Sequence, residues 1–178
     1  DFPPLVQASR SVGSPQIRRR GTVGGNLGTA SPAGDALPVL AVYEAEVVLG
    51  RAGGTTRSVP WREFLVGVKR TALQPDELIL GARWPVLRGP GSFSKIGTRN
   101  AMVIAVVSLA LVVDTEADTV VVGLGSVGPT PLRVRATIGE ANDPGFPALV
   151  AEAARPIDDH RSSAAYRRHA VAVLAERA

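Results

Sequence analysis

The most restrictive feature of the chain is a glycine-rich stretch over residues 21–35, which holds five glycines and hardly any bulky side chain. Such a segment cannot supply one face of a hydrophobic core, and its glycines let another group approach the backbone closely. Main-chain N–H groups at Gly24 and Gly25 can converge on an anion, and Thr22 and Asn26 beside them add polar side chains. The stretch therefore predicts a binding loop for a pyrophosphate, with a plain glycine turn as the alternative.

This loop is not the dinucleotide fingerprint of Rossmann folds. No G-x-G-x-x-G follows a strand pattern here, and no acidic residue stands in the expected place about twenty positions further on. The phosphate hypothesis therefore depends on the glycines and their polar neighbours alone.

Composition excludes several classes of protein. The chain has 178 residues, of which 45% are apolar and 20% charged, so it can bury a core and is not intrinsically disordered. It contains no cysteine, which rules out disulfides, thiolate-bound zinc or iron–sulfur clusters and a cysteine nucleophile. His160 and His169 lie nine residues apart and lack the i,i+4 spacing of a helical ligand pair, so no metal site is predicted.

Charge and hydropathy exclude further partners. The net charge of +4 and the 4% of aromatic residues do not suit nucleic-acid binding. The run Arg18–Arg20 is interpreted as a solvated helix end, with docking to an acidic partner as the alternative. The apolar run over residues 101–113 is too short to span a bilayer and predicts a buried strand. The chain opens without methionine or a signal peptide, so we expect a cytoplasmic protein and a piece of a longer polypeptide.

Hydrophobic periodicity and turn residues divide the chain into elements. Helices are predicted over residues 2–13, 14–20, 36–44, 61–67, 135–141, 146–154 and 162–177, and strands over 46–50, 56–60, 77–84, 92–98, 103–113 and 119–125. A breaker cluster at residues 88–91 marks a boundary between segments 1–88 and 89–178. The pattern predicts an α+β fold, without a full sheet in the first segment and with a three-stranded antiparallel sheet and a helical layer in the second.

Several motifs together resemble a known family. They are the PQIR…GTVGGNL…SPAGDALPVL pattern of residues 15–40, the Lys95-Ile96 pair with Arg99, and the DDHRS…YRRH pattern of residues 158–169. The chain closely resembles, over nearly its whole length, the FAD-binding (medium) subunit of molybdenum hydroxylases. That family includes the medium subunits of carbon monoxide dehydrogenase and the flavin domain of xanthine dehydrogenase.

The resemblance implies a fold and a domain division. Residues 1–88 would form the second half of a PCMH-type FAD-binding domain, and residues 89–178 would resemble the C-terminal domain of carbon monoxide dehydrogenase flavoproteins. The family's first subdomain, with another glycine-rich motif, has no counterpart here. Ala52-Gly53-Gly54-Thr55 spells that motif but is interpreted as a hairpin turn.

The resemblance also implies which residues bind the cofactor, and it implies no catalytic residue. Lys95 would stabilise the anionic reduced flavin electrostatically, with a solvated strand lysine as the alternative. The implied contacts are Thr22, Gly24, Gly25 and Asn26 on the FAD pyrophosphate, Gly28, Thr29 and Asp35 on the ribityl and phosphate region, Ile79 near the isoalloxazine, and Lys95 facing the flavin ring.

The implied function is electron transfer by an oxidoreductase subunit. Electrons would pass from molybdopterin on a large subunit through two-iron two-sulfur clusters on a small subunit to FAD on this subunit, within a dimer of heterotrimers. The chain alone is expected to be inactive, and neither substrate nor acceptor follows from the sequence. The alternatives are a stand-alone flavoenzyme of the vanillyl-alcohol oxidase type and a docking fragment without flavin.

Overall fold

The computed structural model of the chain describes residues 2–178: four helices come first, nine antiparallel strands with one short helix among them follow, and three helices end the described chain. The helices are α1 (Pro3–Ser11), α2 (Pro15–Arg20), α3 (Val23–Thr29), α4 (Ala36–Val42), α5 (Trp61–Phe64), α6 (Ile138–Ala141), α7 (Phe146–Ala153) and α8 (Ala164–Arg177). The strands are β1 (Glu46–Arg51), β2 (Thr56–Pro60), β3 (Leu65–Gly67), β4 (Arg70–Thr71), β5 (Glu77–Arg83), β6 (Gly91–Gly97), β7 (Ala105–Asp114), β8 (Thr119–Gly125) and β9 (Leu132–Thr137).

The first segment contains a sheet of its own, which corrects the prediction that it lacks one. Its three antiparallel strands lie in the order β2-β1-β5, with β1 in the centre. The predicted hairpin of β1 and β2 is confirmed, and Gly53 and Gly54 at its tip adopt positive φ values of 89° and 86°, as a tight turn requires. Residues Val47 and Leu49 point from β1 into a core shared with α3, α4 and α5.

A buried carboxylate fastens the edge of this sheet. Glu77, at the start of β5, accepts hydrogen bonds from Arg57 on β2 at 2.7 and 2.8 Å and from the backbone N–H of Gln74 at 2.9 Å. The Arg57 guanidinium and the Gln74 N–H lower the pKa of Glu77 to about 2. The carboxylate therefore stays ionised at neutral pH. It links the outer strands β2 and β5 through Arg57, and it also holds the loop before β5 through Gln74.

The second segment forms an antiparallel sheet with four strands, in the order β6-β7-β8-β9. The antiparallel sheet and the helical layer are confirmed, whereas the predicted number of three strands is wrong. The fourth strand, β9, begins before the helix that was predicted over residues 135–141, and only the last four of those residues are helical. In β9, Val134 pairs with Val122, and Ala136 is buried opposite Val120. Alternate apolar residues in this register favour a strand over a helix.

Helices cover both faces of the four-stranded sheet. Helices α7 and α8 pack on the face that carries Leu109 and Leu111, and α1 and α4 pack on the opposite face, which carries Ala110 and Val112. Contact with α4 is close at Gly123, where an added Cβ would lie 2.3 Å from the carbonyl oxygen of Pro38. Helices α1 and α4 of the first segment therefore pack directly on the sheet of the second segment. The domain division near residue 88 stays a prediction.

Ala101, Met102 and Ile104, at the start of the predicted buried strand, are exposed and lie outside it, whereas the apolar run from residue 105 is a strand, as predicted. It forms β7, whose first eight residues are all buried between the two helical layers. No helix among residues 2–178 has the length and apolar character needed to cross a membrane. The cellular compartment stays a prediction.

Candidate functional site

The glycine-rich stretch is not a continuous loop, because it contains helix α3. Thr22 caps this helix, and its Oγ1 atom accepts a hydrogen bond of 2.9 Å from the Gly25 N–H. Thr29 Oγ1 donates to the carbonyl of Gly25 at 2.8 Å, and Ala30 ends the helix in the left-handed conformation. Leu27 is fully buried and fixes α3 to the core beneath it. The prediction of a binding loop is therefore corrected to a short capped helix followed by a loop over residues 30–35.

The surface of α3 is flat because it carries glycine. Gly25 and Gly28 are exposed, and Gly24 is half-buried. The side chain of Ile79, on β5, lies beside the helix: an added Cβ would be 3.7 Å from Ile79 Cγ2 at Gly24 and 3.4 Å from Ile79 Cδ1 at Gly28. The structure thus brings Ile79 to the α3 glycines, as expected of residues that border one site.

The first turn of α3 offers donors for an anion. The first N–H groups of a helix have no intrahelical acceptors, and here they include those of Val23 and Gly24.

The Asn26 side chain reaches towards the following loop, where its Oδ1 atom would lie 3.2 Å from a Cβ placed on Gly34. That Oδ1 atom is buried and has no hydrogen-bond partner within residues 2–178.

Two charged residues predicted to contact one cofactor form an ion pair. Lys95 Nζ, on β6, lies 2.6 Å from Asp35 Oδ2 at the start of α4, and the two side chains are only 9% and 6% exposed. The alternative interpretation of Lys95 as a solvated lysine is therefore wrong. Burial raises the pKa of Asp35 above its ordinary value, although the hydrogen bond and positive charge of Lys95 oppose that rise.

Ser11 completes this arrangement, and no pattern in the sequence pointed to it. Its carbonyl accepts a hydrogen bond of 2.8 Å from Lys95 Nζ. Its Oγ atom lies 2.8 Å from the Ala8 carbonyl oxygen and 3.1 Å from Asp35 Oδ2, so these two acceptors share its one hydroxyl proton. Asp35 Oδ1 is buried and unpartnered among the described residues. A buried acceptor without a donor costs about 1–3 kcal/mol, so this oxygen suits a ligand that supplies a hydroxyl.

A cleft of about 480 Å³ opens beside the ion pair. It lies between α1 and the end of β6, so the two halves of the chain form its walls. Its polar lining residues are Gln7, Ser11, Lys95, Arg99 and Asn100.

The remaining candidates lie outside this site. Helix α2 has no buried residue, and Arg18 donates to the carbonyls of Val12 and Gly13, which agrees with a solvated helix end. His160 and His169 are both exposed. Within residues 2–178 no group of three or more His, Asp or Glu side chains is placed to hold a metal ion.

Comparison with known proteins gives the family. Residues 1–87 match the family described as the FAD binding domain in molybdopterin dehydrogenase. The glyceraldehyde dehydrogenase medium chain of Sulfolobus acidocaldarius is 33% identical over 99% of this chain and 66% of its own length. The chain belongs to the FAD-binding family of molybdopterin dehydrogenases. The xanthine dehydrogenase of Emericella nidulans is 32% identical over 79% of the chain and 11% of its own length.

Solved structures of this FAD-binding family have the same fold. A crystal structure of the Cu,Mo-CO dehydrogenase superposes with a TM-score of 0.83 and 28% identity, over 98% of this chain and 65% of the other. The chain therefore spans about two thirds of the length of the medium chains that it matches.

The family's cofactor is FAD, and the residues present fit it. Pyrophosphate oxygens need N–H and hydroxyl donors, which the first turn of α3 and the side chains beside it carry. The ribityl chain carries hydroxyl donors, and among residues 2–178 the buried oxygens Asn26 Oδ1 and Asp35 Oδ1 have no donor. The glycines of α3 leave its surface open to such a ligand.

Proposed function

We propose that this chain is the FAD-binding, electron-transferring part of a molybdenum-containing hydroxylase or dehydrogenase. The observation that carries this proposal is the Asp35–Lys95 ion pair beside the glycine helix α3, in a chain that belongs to an FAD-binding family. Bound FAD supplies the ability to accept an electron pair and to release it to an external acceptor.

The residues of α3 would hold the phosphates. In this proposal Thr22, Gly24, Gly25 and Asn26 border the pyrophosphate. The N–H groups of Val23 and Gly24 are its main-chain donors, because the Gly25 N–H donates to Thr22 Oγ1 and the Asn26 N–H to the Thr22 carbonyl. Exposed glycines permit close approach of the ligand, because no Cβ stands in the way.

The loop after α3 and the strands beside it would hold the rest of the cofactor. Gly28, Thr29 and Asp35 are assigned to the ribityl and phosphate region, and Ile79 to an apolar contact near the isoalloxazine. Asp35 suits this role because its Oδ2 atom is in contact with Lys95 and Ser11, while its Oδ1 atom has no donor in the described part of the chain.

Lys95 would stabilise negative charge on the flavin, although Asp35 partly neutralises the lysine's own charge. Its ammonium has three N–H donors, and two of them are used by Asp35 and the Ser11 carbonyl. The third is available to a flavin oxygen. Because Asp35 compensates its charge, Lys95 offers a directed hydrogen bond rather than an isolated positive charge, and this stabilises negative charge on the flavin more weakly than a free lysine would.

Partner subunits would supply the electrons. The relatives of this chain are named as medium chains of dehydrogenases, so we infer a large molybdopterin subunit and a small iron–sulfur subunit as partners. A chain without cysteine cannot ligate an iron–sulfur cluster by itself, which agrees with this division of labour.

A matched pair of glycine substitutions tests the proposal. Gly25→Val adds a branched side chain on the exposed surface of α3, and we expect FAD affinity to fall at least tenfold in a titration followed by flavin fluorescence. Gly139→Val is the control, because Gly139 also follows a threonine-capped helix start and an added Cβ would meet only Thr137 Oγ1 at 3.9 Å. Equal FAD affinity in the Gly25→Val variant and the control would contradict the assignment of the phosphate site.

A further inference from the structure

A buried polar cluster lies at the end of the four-stranded sheet, away from the residues assigned to FAD. Asp159 accepts hydrogen bonds of 2.7 Å from both Arg167, at 1% side-chain exposure, and Arg161. Burial disfavours the ionised form of Asp159, yet the hydrogen bonds from Arg161, Ser162 and Arg167 outweigh it and hold the pKa of Asp159 below its ordinary value. The Asp159 carboxylate is therefore ionised at neutral pH, and none of these residues is assigned a contact to FAD.

The two arginines bind the beginning of strand β7. Arg167 Nη1 donates to the carbonyl of Val106 at 2.9 Å, and Arg161 Nη1 donates to the carbonyl of Ala105 at 3.2 Å. Ala105 is the first residue of β7, and it pairs with Gly97 at the end of β6. The cluster therefore fixes the strand that borders the lysine-bearing strand β6.

Ser126 links the same cluster to the loop before Asp35. Its carbonyl accepts a hydrogen bond of 2.7 Å from Arg167, its Oγ donates to the Ala105 carbonyl at 3.0 Å, and its N–H donates to the Pro32 carbonyl at 2.8 Å. Ser126 is 8% exposed and adopts a left-handed φ of 64°. One residue thus joins α8, β7 and the loop over residues 30–35.

These hydrogen bonds link the backbone segments next to Asp35 and Lys95. Pro32 lies three residues before Asp35, and Lys95 pairs across the sheet with Ser108, which is three residues after Ala105. Holding both the Pro32 carbonyl and the start of β7 fixes the two backbones from which Asp35 and Lys95 project.

We propose that Arg167, Asp159 and Ser126 are positioning residues for the FAD site, through which helix α8 sets the geometry of the Asp35–Lys95 pair. This inference deepens the proposed function and rests on it. Because these residues do not touch the assigned cofactor contacts, they act through the Pro32 loop and strand β7. A purely structural role would lower the stability of the protein without changing a site that remains folded.

The test compares two adjacent arginines of α8. Arg167→Met removes the bonds to Asp159, Val106 and Ser126, and Arg168→Met is the control because Arg168 is exposed. At a temperature where both variants are folded by circular dichroism, we expect Arg167→Met to weaken FAD binding at least tenfold and to shift the visible absorption bands of the bound flavin. Arg167→Lys keeps a positive charge and should recover part of the affinity.

A milder variant keeps the test decisive if Arg167→Met does not fold. Ser126→Gly suits the left-handed φ and retains both backbone hydrogen bonds, and it loses only the Oγ bond to Ala105. We expect FAD affinity to fall about threefold, and the backbone amide NMR signals of Asp35 and Lys95 to move even without FAD.

The outcomes separate the two proposals. Wild-type chain that binds no FAD contradicts the proposed function, and the amide signals of the cofactor-free variants then decide the positioning role. If wild-type chain binds FAD, while folded Arg167→Met and Ser126→Gly variants keep the wild-type affinity, flavin spectrum and amide signals, the positioning role is overturned and the proposed function stands.

Discussion

The Asp35–Lys95 pair is the residue-scale feature on which the site depends. Its side chains come from positions 60 residues apart, and both are nearly buried. Removing one partner of a buried pair leaves an uncompensated charge, which typically costs about 3–5 kcal/mol of folding stability. The pair is therefore a structural contact as well as the proposed contact to the cofactor.

Replacing Lys95 should lower the stability of the folded protein. Lys95→Met keeps most of the side-chain volume but leaves the Asp35 carboxylate without its cation, so we expect the free energy of unfolding at pH 7 to fall by about 3 kcal/mol or more. Urea denaturation measures the change. Lys69→Met is the control, because Lys69 is the other lysine of the chain and is exposed. Equal unfolding free energies in the two variants would contradict the buried ion pair.

The pH dependence of the same variant has a defined sign. Burial raises the folded-state pKa of Asp35 above its ordinary value of 3.8, and loss of Lys95 removes the interaction that opposes this rise. The folded state then binds a proton at a higher pH than the unfolded state. Relative to wild type, Lys95→Met should therefore regain stability as pH falls through the folded-state pKa towards 3.8, and lose it again as pH rises.

At the scale of elements, helix α3 forms although the helix propensity of its residues is low, and its N-terminal cap helps to stabilise it. It has seven residues, of which Gly24, Gly25 and Gly28 are glycine, and each glycine costs about 1 kcal/mol relative to alanine in a helix interior. The bond from the Gly25 N–H to Thr22 Oγ1 and the burial of Leu27 offset this cost.

Removing the cap should loosen α3 locally. Loss of a threonine cap costs about 1 kcal/mol, so Thr22→Ala should speed hydrogen exchange of the amides in the last turn of α3 about fivefold. Thr22→Ser retains the capping oxygen and should exchange like wild type. Unchanged exchange in Thr22→Ala would mean that tertiary packing alone holds the helix.

The sequence predicted most elements and missed four, which are α3, β3, β4 and β9; β3 lies within the helix predicted over residues 61–67. Helix α3 was not predicted, because the low helix propensity of its three glycines outweighed the capping signal of Thr22. The last three residues of β9 fall within the helix predicted over residues 135–141, although Leu132, Val134 and Ala136 alternate with arginines and a threonine in the period of a strand. That alternation was a usable signal, whereas α3 is stabilised by a buried contact that no local pattern reveals.

At the scale of the whole molecule, the site is assembled from both segments of the chain. Asp35 comes from the first segment and Lys95 from the second, and helices α1 and α4 pack on the sheet that carries Lys95. Motif resemblance could name candidate site residues one by one. It could not show that Asp35 and Lys95 bind each other or that Ser11 joins them, because those contacts arise only from the packing of distant elements.

The most direct test of the account is a nuclear magnetic resonance titration of the chain with FAD, which detects weak as well as tight binding. In the proposed site α3, Asp35 and Lys95 contact the cofactor. We expect the backbone amide signals of residues 22–29, Asp35 and Lys95 to shift with added FAD, while those of residues 138–141 in α6 stay in place. Shifts confined to other surfaces, or none at millimolar FAD, would contradict the account.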